Sequence, residues 1–181
     1  SITIHPPMGR DSVQPFLDQK EKGIISICRT SNPDAVEFQN RLMEVTEEEI
    51  ELLAKQHKNE ILVEMSMHPG SAHEETHCFA RWYEIIAFRV SQFWNTNNNC
   101  AAVVGATAPK ELARVRKLVD DMFILIPGIG KQGGSVEESV KAGKNSRNNG
   151  FVLNSSSAII FDPSPREATK KLHDEIQKHL N

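Results

Sequence analysis

Five short runs rich in branched aliphatic residues, at 1–5, 23–28, 101–105, 123–127 and 151–155, are separated by longer stretches of helical spacing. That alternation limits the fold more than any other feature. A strand lying parallel to its predecessor needs a long crossover, and a helix is the usual one. The expected class is therefore α/β, a parallel sheet with helices at 13–20, 109–119, 135–142 and 165–180. Asp11 or Ser12 is the expected cap of the first helix, and Pro109 and Pro165 suit first helical turns, where a missing N–H costs nothing.

The stretch 33–99 is about twice as long as one crossover needs, so an insertion is expected around 40–80 within a single domain spanning 1–181. Thr46 and Glu49 form a capping-box pattern ahead of an apolar-periodic segment, and 61–65 reads as a short strand. Ser71 is expected to cap a helix over 72–94, with Phe79, Trp82, Tyr83, Ile86, Val90 and Phe93 on its packing face.

A formal net charge of −3, with no basic stripe, argues against a nucleic-acid or membrane-surface binder and leaves small anionic ligands open. No apolar run approaches the roughly 20 residues of a membrane span. Cys28, Cys78 and Cys100 are odd in number with no CxxC spacing, and no secretory leader opens these residues, so a reducing, cytoplasmic setting is expected.

Ligands of parallel α/β folds gather beyond the C-terminal ends of the strands, which makes the turns there the places to search. Residues 126–135 read I-P-G-I-G-K-Q-G-G-S between a strand and a helix. Glycines there let backbone N–H groups approach an anion, and the helix N-terminus adds partial positive charge. Gln132 offers donor and acceptor together, as reading a neutral heterocycle requires. Ser155, Ser156 and Ser157 stand at the terminus of the last strand, either as phosphate contacts or as partners of local backbone groups. His73-Glu74-Glu75-Thr76-His77 matches the zincin pattern H-E-x-x-H. Its metzincin continuation fails, because Ala80 and Tyr83 stand where glycine and a third histidine belong, so no metal is expected and the histidines read as surface residues.

The loops in their order carry a resemblance. V-V-G-A-T-A-P-K-E-L-A-R-V-R (103–116), I-L-I-P-G-I-G-K-Q-G-G-S (124–135) and G-F-V-L-N-S-S-S-A-I-I (150–160) resemble the last three units of orotidine 5′-monophosphate decarboxylases. I-T-I-H-P-P-M-G-R-D-S-V (2–13) and I-C-R-T-S-N-P-D-A-V-E-F-Q (27–39) resemble the two preceding units of the bacterial and protozoan branch. These segments cover about a third of the chain. The resemblance implies a (β/α)₈ TIM barrel, of which this chain holds about the last five units, working as a homodimer that turns orotidine 5′-monophosphate into uridine 5′-monophosphate and carbon dioxide without metal or organic cofactor. It also implies that Ser31 meets the pyrimidine edge with help from Thr30, that Gln132 bridges base and phosphate, and that Pro127 lines the pocket. Gly133 and Gly134 would leave room for the phosphate, with Ser156 and Ser157 beside it.

Two departures stand against the pattern. The family's catalytic aspartate-x-lysine-x-x-aspartate segment has no counterpart here, since Lys20, Lys22, Asp120 and Asp121 read as solvated charges away from strand C-termini. The chain is accordingly expected to be incomplete and inactive alone, with a non-catalytic nucleotide-binding barrel fragment as the alternative and a zinc peptidase as a distant one. The family's phosphate-binding arginine is replaced by Ser157, for which Lys131 or Arg147 would have to compensate.

Overall fold

The computed structural model describes residues 1–67, 75–130 and 132–180. In chain order its elements begin with β1 (Ile2–Ile4), α1 (Arg10–Leu17), β2 (Ile24–Arg29) and α2 (Val36–Gln39), then β3 (Leu42–Glu44), α3 (Glu47–Lys55), β4 (Val63–Met67) and β5 (Glu75–Arg81). They continue with α4 (Trp82–Arg89), β6 (Cys100–Val104), α5 (Pro109–Val119), β7 (Phe123–Pro127), α6 (Val136–Gly143), β8 (Phe151–Asn154), α7 (Ser157–Ile160) and α8 (Pro165–Leu180). The five expected aliphatic runs form one parallel sheet in the order β1-β2-β6-β7-β8.

The two faces of that sheet differ. Ile124 and Ile126 on β7 are 0% exposed and lie under the helices, whereas Phe123 and Val152 on the opposite face are 45% and 44% exposed. Leu112, Val115 and Leu118 of α5 recur at helical spacing against Ala102 and Val104 in the buried cluster, and each such side chain contributes about 1.5–3 kcal/mol by leaving water. The core therefore sits between sheet and helices, with β1 and β8 at the two edges.

Residues 42–81 supply a separate three-stranded antiparallel sheet in the order β3-β5-β4. The capping box forms as expected: the Glu49 backbone N–H donates to Thr46 Oγ1, and Glu49 Oε2 accepts from the Thr46 N–H at 3.0 Å.

Several expectations need correction. The first helix runs over Arg10–Leu17, and its N-cap is Gly9 at φ 92° with no side-chain cap, so neither Asp11 nor Ser12 fills that place. The short strand expected at 61–65 lies at Val63–Met67. Within the continuous helix expected over 72–94, the described residues form a strand over Glu75–Arg81, followed by α4 and a π-helical turn over Val90–Trp94. Strand pairing wins there because Glu75–Arg81 lies between two partners, with Phe79 opposite both Glu44 and Val63. Ser71, its expected cap, lies outside the described residues.

Glu84 starts α4 by accepting from the Arg81 N–H at 2.9 Å, and its fully buried carboxylate pairs with Arg114 of α5. That pair joins the helix behind β6 to the one that precedes it.

Candidate functional site

The turns beyond the C-terminal ends of β2, β6 and β7 meet. Ser31 Oγ donates to Gln132 Oε1 at 2.7 Å, across 101 residues of sequence. Thr107, after β6, donates its hydroxyl to the Ser31 carbonyl at 3.0 Å. The Gly105 N–H donates to the Arg29 carbonyl and the Ala106 N–H to the Pro127 carbonyl, both at 2.8 Å, so the three turns are tied in sequence around the sheet.

Close packing sets the residue types. A Cβ on Gly105 would lie 2.6 Å from the Ser31 N and Cα, and one on Gly134 would lie 2.4 Å from the Ala106 Cβ. No side chain fits at either place. Gly128 and Gly130, at φ 103° and 84°, give the loop its left-handed corners. Gly133 at φ 86° faces open space, with nothing within 4 Å of a built Cβ. Ser135 caps α6 by accepting from the Glu138 N–H at 3.3 Å, so the expected loop-to-helix N-terminus is formed.

A cavity of about 630 Å³ opens over these turns, lined by Arg29, Ser31, Asn32, Thr107, Glu111 and Gln132 among others. Thr30 holds the back of the turn: its N–H donates to Gln39 Oε1 at 2.8 Å. The serines after β8 lie beside the glycine loop, where Ser155 Oγ donates to the Ile129 carbonyl at 3.4 Å. Ser156 Oγ donates to Asn154 Oδ1 at 3.1 Å, and Ser157 opens α7.

The structure thus brings Ser31, Gln132, Pro127 and Gly134 into one set of linked turns. Arg147 does not join them: it pairs with Asp121 at 3.2 Å, next to the start of β7 and so at the opposite end of the strand from the loop. Lys131 lies outside the described residues. Gly105, Thr107, Arg29 and Glu111 belong to the site without being singled out by the sequence. The first two sit inside the quoted V-V-G-A-T-A-P run, where a strand-terminal glycine followed by a hydroxyl was the available signal.

The H-E-x-x-H stretch takes a different form. His73 and Glu74 lie outside the described residues, while His77 is on strand β5, so the helical spacing the zincin reading needs is not present at His77. Its Nδ1 meets Glu44 Oε1 at 2.5 Å and its Nε2 lies 3.4 Å from Glu75 Oε2. The Glu44 contact, supported by Glu75, holds the imidazole pKa above its ordinary value. A group with a raised folded pKa adds stability that is fully present below its unfolded pKa of about 6.5 and lost as pH rises through the folded value. NMR titration of His77 is expected to show a midpoint above 6.5, lowered by Glu44→Gln. A midpoint at or below the ordinary value would contradict the contact.

The three cysteines are free, and burial pushes the Cys28 thiol up to about 12, which leaves it inert as a nucleophile. Among the described residues, no helix is long and apolar enough to cross a membrane.

The sequence model of the Orotidine 5'-phosphate decarboxylase / HUMPS family matches residues 1–172. An orotidine 5'-phosphate decarboxylase of Aromatoleum aromaticum is 37% identical over 186 residues, covering 99% of this chain and 56% of the relative. That of an Azoarcus species is 39% identical over 161 residues, covering 89% of this chain and 47% of its own length. The chain spans about half the length of the curated relatives it matches. Among solved structures, Leishmania donovani UMP synthase superposes with a TM-score of 0.77 at 32% identity, covering 99% of this chain and 33% of that one. Leishmania donovani OMP decarboxylase gives 0.74 at 30% identity, covering 99% and 56%. The fold is accordingly the TIM barrel of these neighbours, represented here in part. With its sheet order, its linked glycine and serine turns and a match over nearly its whole length, this chain belongs to the Orotidine 5'-phosphate decarboxylase / HUMPS family.

Proposed function

We propose that the protein is an orotidine 5′-monophosphate decarboxylase, forming uridine 5′-monophosphate and carbon dioxide in pyrimidine biosynthesis, and that these 181 residues supply its grip on the nucleotide. One observation carries the reading: Ser31 and Gln132, far apart in sequence, meet at 2.7 Å beside the glycine loop and at the cavity wall. Ser31, backed by Thr30, reads the pyrimidine edge. Gln132 joins base to phosphate, Pro127, tied to the neighbouring turn through its carbonyl, lines the completed pocket although it does not wall the present cavity, and the backbone at Gly133 and Gly134 with Ser156 and Ser157 receives the phosphate. Serine at position 157 gives that end one hydroxyl in place of a bidentate cation, a weaker grip.

Binding and turnover separate in this account. Decarboxylation needs charge placed against the reacting carbon in the transition state, and a grip on remote parts of the nucleotide only helps if that charge is present. No aspartate-x-lysine-x-x-aspartate segment occurs in these residues, so the lysines and aspartates of the reaction come from chain outside them. The same reading makes the protein a cytoplasmic homodimer of closed barrels that uses no cofactor and binds no nucleic acid. Within its single domain, residues 40–80 are an insertion. A second reading, a non-catalytic nucleotide-binding barrel, is favoured by the missing catalytic segment together with Ser157.

Replacing Gln132 with Ala leaves Ser31 Oγ without its partner and removes one amide contact to the ligand. Affinity of the full-length protein for uridine 5′-monophosphate is expected to fall by about 1–3 kcal/mol, measured by calorimetry. Unchanged affinity would remove Gln132 from the site.

A further inference from the structure

Arg29 closes β2 and is 5% exposed, yet its guanidinium is engaged by neutral acceptors. Nε donates to Asn40 Oδ1 at 2.9 Å and Nη1 to the Thr30 carbonyl at 2.5 Å. Asn40, the C-cap of α2, passes the contact on: its Nδ2 donates to Glu111 Oε1 at 3.1 Å, in the first turn of α5. One amide therefore bridges a buried cation and a carboxylate, and the bridge joins the ends of three elements.

The peptide group held by Arg29 is the one that carries Ser31. The Thr30 carbonyl belongs to the plane that sets the Ser31 N–H and Cα, and the Ser31 carbonyl is fixed separately by Thr107. With Gly105 pressed against the Ser31 backbone, the turn is held from three sides. Such fixing is what a binding contact needs, because a recognition group is useful only when its supporting neighbours hold it to within about 0.5 Å. The bridge also lies at the C-terminal end of β2, where sites of this architecture form, and lines the cavity through Arg29 and Glu111.

We propose that Arg29, Asn40 and Glu111 are positioning residues that hold the Ser31–Gln132 edge in register with the base of the nucleotide and have no part in gripping its phosphate. The inference rests on the reading of that edge as the pyrimidine contact. Asn40 is the informative position, since its amide accepts from Arg29 and donates to Glu111 at once. Asn40→Asp alone sets two carboxylates face to face. Combined with Glu111→Gln it restores the bridge with donor and acceptor exchanged.

The test compares uridine 5′-monophosphate with ribose 5-phosphate, which lacks the base, by calorimetry on the full-length protein. For Asn40→Leu the affinity for uridine 5′-monophosphate is expected to fall about tenfold, the scale of one hydrogen bond to a charged group, with ribose 5-phosphate unchanged. Asn40→Asp is expected to show the same loss, and the Asn40→Asp, Glu111→Gln pair to recover most of it. If Asn40→Leu leaves both ligands unaffected, or weakens both equally, the bridge is structural only and the proposal fails. Failure of the paired variant to recover binding also overturns it. Wild-type protein that binds both ligands alike, or neither, refutes the pyrimidine-edge reading itself and takes this inference with it.

Discussion

Arg116→Met is expected to destabilise the protein by on the order of 3–5 kcal/mol, the scale of two or three lost charge-assisted hydrogen bonds. Arg116 is 8% exposed and donates to four backbone carbonyls. Nε reaches Gly143 at 2.7 Å, Nη1 reaches Asp120 at 2.6 Å and Met122 at 2.7 Å, and Nη2 reaches Gly150 at 2.7 Å. Met122 and Gly150 immediately precede β7 and β8, and Gly143 ends α6, so one side chain closes the N-terminal end of the last two units. Burial lowers the guanidinium pKa to about 10, which still leaves it charged at neutral pH. Methionine fills much of the same volume and offers no donor, so the carbonyls lose their partners while packing is largely kept. Against a total stability of about 5–15 kcal/mol, such a loss brings the variant close to unfolding. Urea denaturation gives the number, and a change under about 1 kcal/mol would mean that water replaces the side chain without cost.

That clip shows what kind of information the sequence held back. Arg116 lies in a quoted run that resembles the family, yet its four acceptors are spread over 120–150, and spacing alone gives no hint of them. The same is true of Asn40 and Glu111, 71 residues apart. Local rules served well where local physics decides. The Thr46 and Glu49 capping box formed as read, Pro109 and Pro165 open α5 and α8, and each aliphatic run became a strand of the parallel sheet. They failed at 75–81, where Phe79, Trp82 and Tyr83 carry a helical spacing that in fact spans two elements. There, partners on both sides of β5 outweighed the local pattern, and those partners come from 42–44 and 63–67. The site divides in the same way. Its glycines and Gln132 were visible as a loop between a strand and a helix, and the resemblance implied separate nucleotide contacts for Ser31 and Gln132, whereas their hydrogen bond to each other is seen only in the structure. The buried Arg29 behind them was invisible because nothing in the order of residues distinguishes it from an ordinary surface arginine.

The division between grip and chemistry is the centre of this account, and turnover tests it most directly. Orotidine 5′-monophosphate decarboxylation would be followed with the 181 residues alone and with the same residues joined to the part of the Aromatoleum aromaticum relative that this chain does not cover. Both edges of the parallel sheet, β1 and β8, then gain partners, and its half-exposed face gains the other side of a barrel. The account predicts no turnover above background from the 181 residues, and measurable formation of uridine 5′-monophosphate from the joined protein that is lost on Ser31→Ala with Gln132→Ala. Decarboxylation by the 181 residues alone, with host enzyme excluded, would contradict it, because catalytic charge would then have to lie within residues to which this account gives only the grip.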